Sequence, residues 1–327
     1  MGSERSLLLI ALIVPAACAE PDFDTQDEAI IEGPGPRKKE PPRSDTQKAP
    51  APTPAPSGGS GASTADDAKG CDPTLPFAKQ EVVVGAPDDD TGYGVPRLSG
   101  DELRAYYSSA SGNLFRTERA SKGSAFSSGS QVMTFASAWQ PTVTNDELTL
   151  VFSRGDQNEQ LWIATRTSLA APFGTPVALG GGVNSSSRAQ IDPYLRGDGK
   201  ELFFHRYNPG NSGDRGDIYV AAISGSSAAQ AQLVANINSP ADDRYPVVTA
   251  DGLTIFWGSD RTDLGGKGRT DIYVATRPSV TAAFTGVKNV TELASAEDER
   301  PAWVSPDGCR LYFQKGNSLL VARRPAK

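Results

Sequence analysis

The 327-residue chain carries one histidine, two methionines and three cysteines, and those scarcities remove several chemistries at once. His205 is the only histidine and no Cys-x-x-Cys occurs, so the patterns of structural and catalytic zinc sites are absent. No Gly-x-Ser-x-Gly elbow is present to raise a nucleophilic serine. Basic excess is also missing: 32 Lys and Arg face 39 Asp and Glu, a formal charge of −7 and a pI near 5.0. Such a balance does not suit nucleic acid, which selects for a basic surface. The longest apolar run, Leu7 to Ala17, is too short for a bilayer, which takes about 20 residues. No heptad pattern supports a coiled coil, so the chain reads as a monomer.

What the chain does have is repetition. A proline-led phrase ending in an Asp-Gly or Asp-Glu turn occurs at Val95–Glu102, Gln140–Glu147, Asp192–Gly199, Tyr245–Gly252 and Arg300–Gly308. Its prolines, Pro96, Pro141, Pro193, Pro246 and Pro301, are 45, 52, 53 and 55 residues apart. That period fits a four-stranded propeller blade with its loops. Each phrase opens a short strand with x-Pro, where a missing N–H is tolerated. The aspartates Asp101, Asp146, Asp198, Asp251 and Asp307 then make a turn by bonding their own backbone.

An apolar run follows every turn, as in Leu148 to Phe152 or Leu253 to Trp257, and suits a strand buried between neighbouring sheets. A third strand comes next, seen in Asp217-Ile218-Tyr219-Val220-Ala221 and Asp271-Ile272-Tyr273-Val274-Ala275. A fourth begins near Phe126, Phe173 and Phe284. The fifth unit offers only three strands before Lys327, but Pro76 to Val84 resembles the fourth-strand segment Ala283 to Val290. The expected fold is therefore an all-β, five-bladed β-propeller over residues 76–327. Its ring is closed by the domain's N-terminal strand, which hides a sheet edge.

The stretch Pro301 to Phe313, with the two Asp-Ile-Tyr-Val-Ala strands, resembles the PD40 (WD40-like) repeats of TolB-like propellers. The resemblance covers the C-terminal three quarters of the chain, and the first two units depart from it by carrying Asp-Glu in place of Asp-Gly. It implies an exported, non-enzymatic docking module, although one fold hosts many activities.

Residues 1–19 read as an export signal: Arg5, an apolar run, then Ala16-Ala17-Cys18. Cys18 resembles a lipobox cysteine, which would make it a lipid anchor and the only membrane contact; Ala17-Cys18-Ala19 also fits a plain signal-peptidase site. Residues 20–75, centred on the Ala-Pro run from Ala49 to Pro56, have the composition of a disordered tether. The expected location is the bacterial cell envelope, or the medium if the signal is simply cleaved. Cys71 and Cys309 fall at the same rim of the last blade, and a disulfide there would fasten the two ends of the domain.

Loops leading into the first strand of a blade, and loops joining its second and third strands, share one face. The long second-to-third loops, Arg206 to Arg215 and Ser259 to Arg269, break the five-fold sameness and mark that face for a ligand. Asp242, Asp243, Arg244, Asp298 and Arg300 lie beside them, and Asp260, Arg261, Asp263, Arg269 and Arg206 complete the candidate set. Asp243 and Asp298 both precede their prolines by three residues and read as repeat-equivalent. The competing reading has these side chains bonding loop backbone.

Trp139, Trp162, Trp257 and Trp303 read as packing between blades. Gly-rich Leu264 to Gly268 lacks P-loop spacing, and Asp88-Asp89-Asp90 lacks the Gly and Glu of a calcium loop. No metal and no cofactor are expected.

Three functions compete. The first is a binding module for an envelope protein or glycan. The second is a lectin, whose one-site-per-blade plan needs loops more alike than these. The third is a glycoside hydrolase: five-bladed furanosidases resemble this architecture and use three acids near the central channel, for which Asp192, Asp243 and Asp298 are the available trio.

Overall fold

The computed structural model describes residues 70–87, 95–133, 135, 137–155, 158–267 and 269–327. Cys18, the tether up to residue 69 and Asp88-Asp89-Asp90 lie outside these residues. The described chain is nearly all β and forms a five-bladed β-propeller.

Blade one holds Arg97–Leu98, Arg104–Ser108, Leu114–Glu118 and Ser130–Met133. Blade two holds Ala138–Val143, Thr149–Arg154, Gln160–Thr165 and Val177–Ala178. Blade four holds Asp243–Val248, Thr254–Ser259, Asp271–Thr276 and Thr285–Asn289. Within each, strands pair antiparallel in chain order from the inside outwards.

Blade three departs from this regularity. Ala189–Leu195, Glu201–Tyr207 and Asp217–Ser224 are followed by two short pieces, Ser227–Ala228 and Gln232–Leu233, both paired to the third strand. Gly180–Gly181, next to the outer strand of blade two, adds a parallel pairing to Ser227–Ala228.

Blade five is composite. Glu299–Val304, Arg310–Lys315 and Ser318–Arg323 take Lys79–Val82 as their outer strand, in the register Gln80 to Ala322 and Val82 to Leu320. The N-terminal strand thus closes the ring, and Cys71 and Cys309 are joined by a disulfide beside it across a sequence separation of 238.

The turn aspartates act alike in every blade. A preceding side chain donates to the carboxylate: Ser99, Thr144, Arg196, Thr249 and Ser305 to Asp101, Asp146, Asp198, Asp251 and Asp307. The same carboxylate then accepts the N–H two residues on. In blades three to five the next residue is glycine at positive φ; in blades one and two it is Glu102 (φ 66°) and Glu147 (φ 56°).

These glutamates explain the departure from Asp-Gly. Glu102 turns its buried carboxylate to Arg310 and Tyr312 of blade five, and Glu147 reaches Arg104 and Tyr106 of blade one. Each clamps its blade to the previous one.

A second repeated device joins the third and fourth strands. Arg119, Arg166, Arg277 and Arg324 each donate Nε to the turn carbonyl of their own blade. Their guanidinium carbons sit 4.3–4.6 Å over the rings of Phe126, Phe173, Phe284 and Phe77. Phe77 lies in the N-terminal segment, so it fills the place in blade five that Phe284 fills in blade four. Blade three lacks both partners, which accords with its irregular outer edge.

Candidate functional site

The inner strands contact one another in ring order and line a central channel. Four of them carry a register shift around their proline, between Trp139 and Thr142, Ile191 and Tyr194, Arg244 and Val247, and Pro301 and Trp303. In three the residue before proline is left-handed: Gln140 (φ 53°), Asp192 (φ 52°) and Tyr245 (φ 53°). Non-glycine residues in this region carry about 1–3 kcal/mol of strain and concentrate at functional sites. The bulge re-aims these side chains: Gln140 meets Ser153 and the Asp192 N–H, Asp192 meets Arg244, and the Tyr245 ring lies under Arg244 and Arg300, at the polar end of the channel.

Arg97 closes the channel below them. This buried side chain from blade one donates to the carbonyls of Ala302 in blade five and Pro193 in blade three, and lies over the Tyr194 ring. Burial depresses its pKa to about 10, with the Asp192 charge the leading opposing influence. Beyond Arg97, at the other end, Leu98, Leu195, Val248, Trp303 and Val304 line a cavity of about 20 Å³, room for about one water molecule.

The polar end is a cup rather than a tunnel. Asp192 is 1 % exposed; its Oδ2 accepts Arg244 Nε at 3.2 Å, while buried Oδ1 has no hydrogen-bond partner. Backbone N–H of Asp192 donates to Gln140 Oε1, which also accepts the Ser153 hydroxyl. Arg244 continues to Asp242 at 3.6 Å, and Asp242 Oδ1 lies 3.1 Å from His205 Nε2. The Tyr245 ring carries two guanidinium groups, Arg244 at 4.7 Å and Arg300 at 5.7 Å.

His205 is buried and stacked on Tyr207, with no partner for Nδ1. Gly216 (φ +77°) seats it: a Cβ there would fall 2.1 Å from Nε2.

Around the cup, the loops 208–216 and 260–270 set arginines against aspartates. Arg188 meets Asp214, Arg215 meets Asp260, and both Arg269 and Arg300 meet Asp298. With Arg244 between Asp192 and Asp242, every arginine of this face has an aspartate beside it. The face is charged but locally balanced.

The structure divides the sequence candidates into two groups. Asp242, Arg244, Asp260, Asp298 and Arg300 come together on this face with part of each side chain in solvent; Arg269 is exposed, as is Asp263 in the short 3₁₀ turn Asp263–Gly265. Asp243, Arg206 and Arg261 are buried supports instead. The sealed Asp243 carboxylate accepts Trp257 Nε1, Arg261 Nη2, and the Ser239 backbone N–H and hydroxyl. Arg206 and Arg261 bond the carbonyls of Val183 and Ile237 and lie over the aromatic rings of Tyr219 and Tyr273.

The equivalence of Asp243 and Asp298 is corrected too. Ser239 caps Asp243, and Ser295 caps Glu299 in the same way, so Glu299 is the counterpart. The blade-five bulge sits after its proline rather than before it, which shifts the count by one residue. Asp192 directly precedes its proline, so the three acids Asp192, Asp243 and Asp298 hold three different blade positions.

Trp257 and Trp303 are buried, and Trp139 and Trp162 half-buried. Lys267, in the Gly-rich loop, donates Nζ to the Ala294 carbonyl. Among the described residues, no group of three or more His, Cys, Asp or Glu is placed to hold a metal ion, and no helix is long and apolar enough to cross a membrane.

No family model matches the chain, and no curated protein matches it by sequence. Solved structures do resemble it. An endo-arabinase from Bacteroides thetaiotaomicron aligns with a TM-score of 0.54 at 14 % identity, covering 76 % of this chain and 99 % of that one. A protein described as a TolB from Agrobacterium tumefaciens aligns at 0.47 and 18 %, covering 68 % and 69 %. TolB from Acinetobacter baumannii aligns at 0.45 and 12 %, covering 71 % of this chain and 54 % of that one. The chain thus spans about half of the Acinetobacter protein. At these identities the likeness is one of fold.

Proposed function

We propose that this chain is an exported, membrane-tethered β-propeller that serves the cell envelope as a non-enzymatic binding module. Its docking surface is the balanced polar face around the cup. The observation carrying this reading is the state of the acids. Asp192, Asp242 and Asp298 are tied to arginines, and Asp243 is sealed under four hydrogen bonds.

Glycoside hydrolysis needs one carboxyl that gives up a proton and a second free to attack or to activate water. Each of these four acids engages an arginine through at least one oxygen, Asp192 through Oδ2, which supports binding over hydrolysis. The loops also differ from blade to blade, which speaks for one site on the axis rather than one per blade. Export and tethering rest on residues 1–19, Cys18 and the Pro-rich segment 20–75.

The test is photo-crosslinking capture from isolated envelopes. The tagged wild type is compared with an Asp242→Asn, Arg269→Ala, Arg300→Ala variant and with Arg116→Ala, Lys288→Ala, whose positions in the strands Leu114–Glu118 and Thr285–Asn289 lie away from this face. Capture lost only in the first variant, with its melting unchanged, is the expected result. Equal capture by all three, or none by the wild type, removes the reading.

A further inference from the structure

The framework devices repeat from blade to blade, whereas the residues at the bulge do not. Arg119, Arg166, Arg277 and Arg324 stack the same way on four phenylalanines. In the three blades whose pre-proline residue is left-handed, the pair before the proline is instead Trp139-Gln140, Ile191-Asp192 and Arg244-Tyr245. Where the same backbone carries three different pairs, the side chains are not serving the shared architecture. Gln140, Asp192 and Arg244 meet in one cup, through the N–H and Oδ2 of Asp192.

Within it the chemistry is specific. A buried carboxylate oxygen without a partner is rare, because it forfeits a hydrogen bond at a cost of about 1–3 kcal/mol. Asp192 Oδ1 is in that position at a left-handed, non-glycine residue, above the Arg97 floor. Its other oxygen meets Arg244, whose side chain is partly in solvent and bridges to Asp242. An unused acceptor beside a guanidinium with donors to spare matches the donor–acceptor pair of neighbouring hydroxyl groups.

The balance of charge narrows the ligand further. An anion would meet Asp192, Asp242 and Asp298, and a cation would meet Arg244 and Arg300. A neutral hydroxyl-rich molecule meets neither penalty.

We infer that the cup is a single axial site for a neutral saccharide residue, with Asp192 Oδ1 accepting from one hydroxyl and Arg244 donating to its neighbour. This deepens the binding-module reading and rests on it. Oδ1 is closed to bulk water in this structure, so Arg244 swings aside as the sugar enters.

The experiment is saturation-transfer NMR on the full chain with glucose, galactose, arabinose and N-acetylglucosamine, and galacturonate as the charged counterpart of galactose. The expected outcome is transfer to at least one neutral sugar, with a dissociation constant around millimolar. Asp192→Asn and Arg244→Gln each weaken it about tenfold. Melting curves accompany both variants; if Asp192→Asn fails to fold, Arg244→Gln, at a partly exposed position, decides.

Transfer to galacturonate alone, or to no sugar, overturns the inference. So does a stable Asp192→Asn that binds sugar like the wild type, since Asp192 would then serve only as counter-ion to Arg97. Loss of sugar binding from the proposal while the envelope capture persists would leave the binding-module reading standing.

Discussion

Glu102, at the turn of blade one, accepts two hydrogen bonds from Arg310 of blade five, from Nε at 2.9 Å and from Nη2 at 2.6 Å. Burial pushes this carboxyl up, but the Arg310 bonds and charge, with Lys122 and Tyr312, outweigh it and hold the pKa below the ordinary value. Glu102→Ala removes the clamp and keeps the left-handed strain, so a loss of about 3–5 kcal/mol is expected. Glu102→Gly removes both and recovers about 1 kcal/mol of that. Urea unfolding of the two variants, with the glycine variant the more stable, is the check.

The disulfide closes a loop spanning 238 positions. Loop entropy of that size corresponds to about 5 kcal/mol. Cys71→Ala with Cys309→Ala should lower the melting temperature and leave the circular dichroism of the folded state unchanged. Identical melting with and without reductant would show that the bond contributes nothing.

Phe77 is buried beneath Arg324 and within 6.1 Å of Phe256, centroid to centroid. Truncating a buried Phe costs about 3–5 kcal/mol, so Phe77→Ala is expected to destabilise the ring by that order. Deleting residues 76–84 removes the outer strand as well and should cost more. Thermal melts that rank wild type, then Phe77→Ala, then the deletion are the expected order.

Acid should loosen the blades. Side-chain bonds from Thr144 and Arg196 depress Asp146 and Asp198, and at Asp101 and Asp307 bonds from Ser99 and Ser305 outweigh burial. A carboxyl depressed in the folded state stabilises above its unfolded pKa, here 3.8, and that stability is lost as pH falls through the folded value. Burial raises Asp217 and Glu299, which act in the opposite sense. The depressed group is the larger, so the melting temperature should drop below about pH 4. Asp146→Asn should flatten that drop, and melts from pH 7 to 3 measure it.

Gly216 has no room for a methyl against His205. Gly216→Ala should push the imidazole away from Asp242. The chain's only histidine gives one imidazole signal, and its shift in Gly216→Ala relative to wild type reports the move. An unmoved signal would mean that the loop, not the ring, had yielded.

The fold was legible because its causes are local. Pro193, Asp198 and Gly199 each state a strand start or a turn, and the likeness of Pro76–Val84 to Ala283–Val290 gave away the closure. The Arg-on-Phe device was also open to view, since an arginine follows the third strand in four units. The site was less legible. Asp243 and Asp298 share a spacing to proline, and only the position of the bulge shows that Glu299 is the true counterpart of Asp243. Glu102 and Glu147 looked like erosion of a motif, because their partners, Arg310 and Arg104, lie in another blade. Nothing local to Asp192 says that one of its oxygens is left without a donor.

The composite fifth blade also sets an order of events. Glu81 and Arg323 are 242 positions apart and meet as ion-pair partners across the closing strands. During synthesis the first strand of this domain has no partner until the last has emerged. Four blades can assemble as they appear, but the ring stays open, with blade edges available to other chains. Contacts this distant in sequence are reached slowly. The step that commits the molecule is therefore the final one, and any factor that guards the chain before it must hold until that strand arrives.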